Sequence, residues 1–412
     1  MQAALDAILR RFVRHGRLTV RWPDQRLTTY AGAEEGPTAG MALLDRGSVR
    51  RLVLNPALHF PEDYMDGRLV PLDCSIYELL DTIGVNMMAQ PNSHPIARIR
   101  AALAHIRRRF DQYNPALRAR RNVAHHYDLN GRLYSLFLDR DRQYSCAYFP
   151  RGDETLEAAQ LAKKRHIAAK LCLDQPGLEV LDIGSGWGGM ALTLAREFGA
   201  RVTGITLSCE QLNEARARAA AEGLADRVTF ELLDYRAVQQ PFDRIVSVGM
   251  FEHVGVGYYG DFFNMVARCL KPGGVALLHA IGRSDGPGST NPWIAKYIFP
   301  GGYCPALSEV LPPIERSRLM VMDIEILRLH YAETLRHWRR RFAANRDTIA
   351  AIYDERFCRM FECYLAGSEV AFRREGQMVF QIQLAHLETA VPLTRDYITE
   401  VERLPSHARA ST

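Results

Sequence analysis

The sequence predicts an α/β fold built on a mainly parallel sheet, preceded by a small α+β unit. From Leu178 onward, short apolar runs typical of buried strands alternate with helical stretches of about ten to fifteen residues. A glycine-rich loop follows the first of these strands, and residues 1–90 lack the alternation altogether. The length of 412 residues agrees with one large domain and a smaller one.

The N-terminal part carries the pattern of a β-hairpin. In LTVRWPDQRLTTYAG, residues 18–32, apolar and polar residues alternate on either side of a turn at 23–26. A short helix is predicted at 48–55, and HFPEDYMDGRL, residues 59–69, is rich in turn-forming residues. Residues 1 to about 90 are therefore predicted to form a small α+β unit.

An arginine-rich segment follows this unit. Between Ala97 and Tyr127 there are eight arginines and one acid, Asp111. The arginines lie at positions 98, 100, 107, 108, 109, 118, 120 and 121. Beneath them an apolar stripe at helical spacing comprises Ile96, Ile99, Leu103, Ile106 and Phe110. Such a helix can present a solvated basic face, pack on its own protein or lie on a membrane surface.

The composition excludes several classes of protein. Hydrophobic residues make up 47% and charged residues 24% of the chain, as in ordinary soluble proteins. No apolar run approaches the roughly 20 residues of a membrane span, and the N-terminus lacks the apolar core of a signal peptide. The eight cysteines form no CxxC pair, so free thiols and no metal site are expected. We therefore expect a cytoplasmic protein, for which peripheral membrane contact remains open.

Five apolar strands are predicted in the larger part, and an irregular segment follows them. The strands lie at 178–184, 202–207, 228–234, 242–250 and 275–281. After them, residues 282–305 are rich in glycine, proline and aromatic residues and interrupt the alternation. Long insertions of this kind after a strand usually shape a substrate pocket.

The glycine loop at 180–189, VLDIGSGWGG, predicts a nucleotide site. Without side chains the backbone can turn tightly and approach a ligand, and the following helix offers free N–H groups. Three of the glycines, including Gly184 and Gly186, also satisfy the dinucleotide fingerprint. A dinucleotide site needs an acid after the second strand, whereas 206–208 is Thr-Leu-Ser and the next acid is Glu210. The pattern therefore favours S-adenosylmethionine over a nicotinamide cofactor.

Three further residues near the loop suit the same ligand. Asp182 precedes the loop, where its carboxylate can help to orient the cationic amino end of S-adenosylmethionine. Asp234 and Tyr235 follow the third strand, where they can hydrogen-bond the adenine amino group and stack on its ring. The alternative interpretations are a helix cap for Asp234 and a core position for Tyr235.

Several motifs, in their order along the chain, resemble those of bacterial cyclopropane-fatty-acyl-phospholipid synthases. They are VLDIGSGWGG, GITLSCEQ, LLDYR, FDRIVSVGMFEHVG, KPGG, FPGGYCP and FCRMFECYLAGSEVAFRREGQMVFQIQ. FPEDYMDG and HHYDLNGRLYSLFLD extend the resemblance over nearly the whole chain. One departure is Ser368, which occupies a position where many members have cysteine, and we assign it no role.

The resemblance implies a fold, a domain organisation and an activity. The fold is a Rossmann-like class I methyltransferase fold with a mainly parallel seven-stranded sheet. The domains are a lipid- or membrane-docking unit at 1–95, a basic helical linker at 96–121 and a catalytic domain at 122–412. The activity is methylene transfer from S-adenosylmethionine to the cis double bond of an unsaturated phospholipid acyl chain. A cyclopropane ring forms, with bound bicarbonate as the general base.

The resemblance also implies the site residues. Around bicarbonate it places the catalytic set Cys146, Glu252, His279, Ile281 and Tyr331. Cys146 then lines an anion site and is not a covalent nucleophile. The alternative interpretations are a core position for Cys146, a helix-capping pair at 252–253 and a structural role for His279 at a strand end. For the cofactor, Tyr144 and Ser145 would contact the methionine carboxylate, and Thr206, Leu207 and Gln211 would surround the ribose.

The resemblance also implies a lipid substrate, a membrane location and a dimeric state. The substrate is an unsaturated phospholipid in an anionic membrane, reached from the inner face of the cell membrane by a homodimer that binds no nucleic acid. The arginines of 98–121 and 336–341 are predicted to assist this contact. The nearest rival is a fatty-acyl phospholipid methyltransferase that leaves a methyl or methylene branch. A nicotinamide oxidoreductase and a non-enzymatic lipid-binding protein are more distant alternatives.

Overall fold

The computed structural model describes residues 1–89, Gln112 and 131–403, which form two compact units. The first unit takes its described residues from 1–89, Ser289–Pro300 and Ala332–Gln377. The second takes them from the segment ending at Gly288, from Gly301–Tyr331 and from Met378 onward. The predicted basic linker at 96–121 lies outside the described residues, except for Gln112.

The N-terminal segment of the first unit contains a four-stranded sheet. Its elements are α1 (Gln2–Phe12), β1 (His15–Arg21), β2 (Leu27–Ala31), β3 (Glu34–Leu43), α2 (Arg46–Leu54), α3 (Pro56–Met65), β4 (Leu69–Leu72) and α4 (Ile76–Ala89). The strand order is β2-β1-β3-β4. β1 pairs antiparallel with β2, which confirms the predicted hairpin, and β1 runs parallel to β3.

The prediction of a turn-rich segment at 59–69 was wrong for its first half, which belongs to α3. Pro56 lies in the first turn of this helix, where backbone N–H groups have no partner within the helix. The lack of an N–H in proline therefore leaves no helical hydrogen bond unmade. Tyr64 and Met65 are buried at the other end. Their burial favours the helix despite Pro61 in its interior.

The second unit begins with a β/α alternation. Its elements are α5 (Gly131–Phe137), α6 (Leu156–Lys170), β5 (Glu179–Ile183), α7 (Gly189–Phe198), β6 (Arg201–Thr206), α8 (Cys209–Ala221), β7 (Val228–Leu232), β8 (Phe242–Val248), α9 (Tyr259–Cys269) and β9 (Leu270–Arg283). The five strands correspond to the five predicted apolar runs. β5, β6, β8 and most of β9 are buried almost throughout, as parallel strands between helices require, whereas the edge strand β7 buries only Val228 and Phe230.

The remaining elements are divided between the units. They are α10 (Pro292–Tyr297), α11 (Leu307–Arg316), β10 (Met320–Leu327), α12 (His330–Ala344), α13 (Arg346–Ile352), α14 (Glu355–Arg374), β11 (Gln377–Ala385) and α15 (Asp396–Arg403). α10, α13, α14 and nearly all of α12 belong to the first unit. The first unit thus includes two segments, Ser289–Pro300 and Ala332–Gln377, that lie within the predicted catalytic range 122–412.

The seven-stranded sheet of the second unit has the order β10-β11-β9-β8-β5-β6-β7. β9, β8, β5, β6 and β7 pair in parallel, and β10 pairs antiparallel with β11. Two clusters of buried apolar side chains pack against the sheet, one around α9 and α11 and the other around α6, α7 and α8. The predicted mainly parallel seven-stranded α/β fold is confirmed.

The sheet brings the carboxyl ends of several strands to one edge. Ile183 at the end of β5 pairs with Ile205 of β6 and Ser247 of β8, and Val248 pairs with His279 of β9. The loops that follow these strands therefore converge, as in open α/β sheets that bind ligands there. Within the described segments, no helix has the length and apolar character that crossing a membrane requires.

Candidate functional site

A cavity in the second unit opens at this edge of the sheet. It encloses about 1090 Å³ of space, part of which is open to solvent. All ten residues predicted to bind the cofactor line it, namely Tyr144, Ser145, Asp182, Gly184, Gly186, Thr206, Leu207, Gln211, Asp234 and Tyr235. The structure thus brings these residues together, and their individual contacts with a ligand remain predictions.

The glycine loop has the backbone conformation that its sequence suggests. Gly184, Gly186 and Gly188 have positive φ angles of 81°, 54° and 86°. A Cβ on Gly184 would lie 2.8 Å from Cβ of Met250, so a larger residue would be strained and crowded. The loop leads directly into α7, whose first N–H groups have no partner within the helix.

Three polar atoms on the cavity wall are buried and have no hydrogen-bond partner among the described residues. They are Oδ2 of Asp182, Oδ2 of Asp234 and the hydroxyl of Tyr235. Burial raises the pKa of Asp182 to about 7, against the opposing effect of Lys163. Buried polar atoms of native proteins are rarely left unpaired, so a ligand with hydrogen-bond donors suits this wall.

The alternative roles of Asp234 and Tyr235 are also partly realised. Oδ1 of Asp234 accepts a hydrogen bond from N–H of Arg236 at 3.0 Å and caps a short 3₁₀ helix. Tyr235 packs edge-on against Phe262 with ring centroids 5.4 Å apart. These contacts hold both residues on the cavity wall without using Oδ2 or the phenol hydroxyl.

The loop after β6 orders the next part of the wall. Ser208 caps α8 by accepting a hydrogen bond from N–H of Gln211 at 3.3 Å. The hydroxyl of Thr206 donates to Oε1 of Gln211 at 3.0 Å, which leaves the amide nitrogen of Gln211 as a donor. Leu207 lies between them on the same wall.

The segment 143–149 borders the cavity and contains Cys146. This thiol is buried and donates to the carbonyl oxygen of Ala147 at 3.2 Å. Gln160 on α6 donates to the carbonyl oxygens of Gln143 at 3.2 Å and Ser145 at 3.0 Å. The backbone around Cys146 is therefore held by α6.

Glu252 lies in a 3₁₀ turn after β8 and is 8% exposed. Its Oε1 accepts a hydrogen bond from N–H of Ile281 at 2.6 Å, and its buried Oε2 has no partner among the described residues. Burial raises the pKa of Glu252 to about 7, although the Ile281 N–H opposes this rise. The N–H of Ile281 is thus used by Glu252, and the placement of Ile281 beside a bound anion, which the resemblance implies, stays a prediction.

His279 is buried near the end of β9, two residues before Ile281. Its Nδ1 lies 3.1 Å from Nε2 of Gln381 on β11. Burial, followed by the charges of Lys163 and Lys170, lowers the pKa of His279 well below its usual value, so the ring is neutral. With the Gln381 amide donating to Nδ1, the proton of the neutral ring lies on Nε2, which is then a donor.

Tyr331, the fifth predicted catalytic residue, is buried in the first turn of α12. The preceding residue, His330, accepts a hydrogen bond at its Nδ1 from N–H of Phe149 at 3.0 Å. This bond links the start of α12 to the segment that contains Cys146. The catalytic roles of Tyr331 and Cys146 remain predictions.

Several residues on the cavity wall were missed by the sequence reasoning. They include Arg142, Gln143, Ser185, Trp187, Met190, Arg236, Met250 and His253. Burial lowers the pKa of His253 to about 4, so this histidine is neutral. Of these residues, Ser185, Trp187, Arg236, Met250 and His253 lie inside the recognised motifs, which was the available signal. Within the described residues, no group of three or more acidic, histidine or cysteine side chains suits a metal ion.

Comparison with known proteins decides the family. The family model described as mycolic acid cyclopropane synthetase matches residues 115–382. The chain belongs to this family. A cyclopropane-fatty-acyl-phospholipid synthase of Escherichia coli K12 is 45% identical over 257 residues, which are 62% of this chain and 65% of that protein. A probable fatty acid methyltransferase of Pseudomonas putida is 43% identical over 268 residues, 63% of this chain and 68% of that protein.

A solved structure agrees with this result. The mycolic acid cyclopropane synthase CmaA1, complexed with SAH and CTAB, shares 34% identity with the chain at a TM-score of 0.61. The match covers 66% of this chain and 99% of that one. The chain spans about two thirds of the length of the curated relatives it matches. The predicted family, fold class and enzyme class are confirmed.

Proposed function

We propose that the chain transfers a methylene group from S-adenosylmethionine to the cis double bond of an unsaturated phospholipid acyl chain, forming a cyclopropane ring. Family membership supports the reaction class. The observation that carries the proposal is Glu252, a buried carboxyl group with one oxygen unpaired among the described residues and a pKa of about 7.

The cavity fits S-adenosylmethionine. The unpaired oxygens of Asp182 and Asp234 can accept hydrogen bonds from amino groups, and the Tyr235 ring lies beside Asp234. Gln211 and Thr206 can hydrogen-bond ribose hydroxyls. When bound, the cofactor would supply an electrophilic methyl group on a sulfonium ion. The carboxyl groups at 182 and 234 also suit the positive charge of this ligand.

Ring closure needs a proton acceptor beside the reacting carbon. The proposed catalytic cluster of Glu252, His279, Tyr331 and Cys146 can support one. An alkene is a weak nucleophile, so its reaction leaves a carbocation that must lose a proton before water reaches it. Glu252 can accept or share a proton near neutral pH because its pKa lies there. The neutral His279 can donate from Nε2 without adding a charge.

Bicarbonate is proposed as the general base held by this cluster. Oε2 of Glu252 can accept the proton of bicarbonate, and Nε2 of His279 and the phenol of Tyr331 can donate to its oxygens. Cys146 would line the site as a thiol. A neutral thiol suits this role, because a thiolate beside a sulfonium ion could be methylated.

The substrate and its location complete the proposal. We place the reaction on anionic membranes at their inner face, with the protein peripherally bound and homodimeric. Residues 1–95 would assist docking, 96–121 would form a basic linker and 122–412 would contain the catalytic machinery. The charge of the arginines in the linker supports this assignment.

A second candidate is a fatty-acyl phospholipid methyltransferase that leaves a methyl or methylene branch. The observation that favours it is the 43% identity to a probable fatty acid methyltransferase. Both candidates share the methyl transfer. They differ in how the carbocation loses its proton.

Mass spectrometry of phospholipids from cells that express the chain distinguishes the two. A cyclopropane product has one CH₂ more than its substrate, no double bond and resistance to ozonolysis at that position. A methylene-branched product keeps a double bond that ozone cleaves. A methylene branch, or a methyl branch beside a surviving double bond, would replace the synthase proposal by the second candidate.

A further inference from the structure

Lys163 on α6 is fully buried and lies against the segment that borders the cavity. Its Nζ donates to Oε1 of Gln143 at 2.7 Å and to Oγ of Ser145 at 2.8 Å. A buried ammonium group is costly unless its hydrogen-bonding needs are met, so its presence here needs an explanation.

The direction of these hydrogen bonds is set by the ammonium group, which can only donate. Oγ of Ser145 and Oε1 of Gln143 therefore act as acceptors. The Nε2 of Gln143 is left to donate to Oδ2 of Asp141 at 3.0 Å, which agrees with this orientation. The hydroxyl hydrogen of Ser145 is not used by Lys163 and can be given to an acceptor in the cavity, which Ser145 lines.

We propose that Lys163 is a positioning residue that orients the Ser145 hydroxyl as a donor toward the carboxylate of the cofactor's methionine portion. This inference rests on the proposed function, since it requires S-adenosylmethionine in the cavity. Lys163 would act through Ser145, and its positive charge would also favour a carboxylate bound nearby.

The charges around Lys163 agree with this role. Burial lowers the pKa of Lys163 to about 8. The negative charge of Asp139 opposes this lowering, and the positive charge of Lys164 adds to it. Asp141 favours the charged form, and the ammonium charge acts in turn on Asp182 and His279. Lys163 thus remains mostly protonated near pH 7, and it is electrostatically coupled to both the cofactor cavity and the catalytic cluster.

The test compares two ligands of the purified full-length chain. S-adenosylhomocysteine carries the carboxylate, whereas 5′-methylthioadenosine keeps the adenosine and thioether but lacks the amino-acid group. In Lys163→Met, titration calorimetry should show affinity for S-adenosylhomocysteine reduced roughly 10- to 100-fold, as expected for a lost charged hydrogen bond. The affinity for 5′-methylthioadenosine should change by less than about two-fold, because that ligand has no group at this position.

A double-mutant cycle and a matched lysine variant make the result specific. Ser145→Ala should give the same selective loss, and the double variant should lose little more than the more affected single variant. Lys170→Met removes another fully buried lysine of α6, which pairs with Glu325, and should keep the wild-type ratio of the two affinities. Lys163→Gln is the substitute if Lys163→Met does not fold.

The possible failures are distinguishable. The positioning role is overturned if the Lys163 variants lose affinity equally for both ligands, or if their affinity for S-adenosylhomocysteine is unchanged. Either result leaves the proposed function intact. Additive losses in the double variant overturn the route through Ser145. A wild-type chain that binds neither ligand overturns the proposed function, and this inference with it.

Discussion

Two buried glutamates, one in each unit, differ in what surrounds them. Glu369 on α14 of the first unit is 1% exposed, and its two oxygens accept hydrogen bonds from Nε of Arg339 and Nε of Arg373, each at 3.0 Å. Glu252 of the second unit is 8% exposed; its Oε1 accepts a hydrogen bond from the backbone N–H of Ile281, and its Oε2 has no partner among the described residues.

The difference separates a structural carboxylate from one that can exchange a proton. Two guanidinium groups offset the desolvation of Glu369 and hold its geometry. Glu252 lacks a cation, so burial favours its protonated form and brings its pKa to about 7. Buried acids with such pKa values are concentrated at functional sites.

The largest effect is expected for Glu252→Gln. This variant should lose about 100- to 10,000-fold in turnover on vesicles of unsaturated phospholipid, because the amide cannot take a proton. Its affinity for S-adenosylhomocysteine should stay within about three-fold of the wild-type value. Removing bicarbonate should slow the wild-type enzyme, and adding it back should restore the rate. A variant that remains active, with no response to bicarbonate, would contradict the assignment of the base.

The converse effect is expected for Glu369→Gln. Because it leaves two guanidinium groups without their buried carboxylate, the free energy of unfolding should fall by about 3 kcal/mol. Turnover per folded molecule should be unchanged. Urea denaturation followed by circular dichroism measures the free energy of unfolding. The rate of product formation divided by the concentration of folded enzyme measures turnover. A loss of turnover without a loss of stability would remove the distinction between the two glutamates.

Asp182 provides an intermediate effect that depends on pH. Its pKa of about 7 lies above the usual value, so the carboxylate accumulates only as the pH rises through 7. A ligand ammonium group prefers the carboxylate, and affinity for S-adenosylhomocysteine should therefore fall by about ten-fold for each pH unit below 7. Asp182→Asn should flatten this part of the profile. Calorimetry between pH 5.5 and about 8 tests both statements.

The smallest effect concerns membrane binding by the arginines of 336–341. Arg339 is engaged with Glu369 and lies over the Tyr77 ring, whereas Arg340 is exposed. Arg340→Ala should weaken binding to anionic vesicles by about 1 kcal/mol, or about five-fold, and less so at high salt. Arg339→Ala should instead reduce stability. Co-sedimentation that does not respond to Arg340→Ala, salt or anionic lipid would exclude this cluster from docking.

The strands and the glycine loop were predictable because they depend on local sequence. Apolar runs identified β5–β8 closely, and positive φ angles at Gly184 and Gly186 follow from a residue type that permits them. α3 was missed because residues 59–69 are rich in turn-forming residues. In the folded unit, burial of Tyr64 and Met65 favours the helix.

The polar contacts around the cavity were not predictable in the same way. Lys163 and Gln160 belong to a helix, LEAAQLAKKRHIAAK, in which polar and apolar residues do not separate onto two faces, and both side chains are buried. Gln381 lies more than a hundred positions after His279. A sequence pattern shows which face of an element is apolar, but it does not show which distant polar group meets a buried one.

The sequence by itself determined the alternation of strands and helices and the glycine loop, and it placed Asp182, Asp234 and Tyr235 beside strand ends, because local spacing dictates which residues adjoin parallel strands. The other predicted cofactor residues, such as Tyr144 and Gln211, followed from the resemblance to the family. Only the tertiary structure decided the charge of the site. Desolvation and distant partners set the proton affinity of Asp182, Glu252 and His279, and neither can be read from a residue's neighbours in sequence. The same reason separates Glu252 from Glu369, which are the same residue type and differ in whether arginines pack beside them.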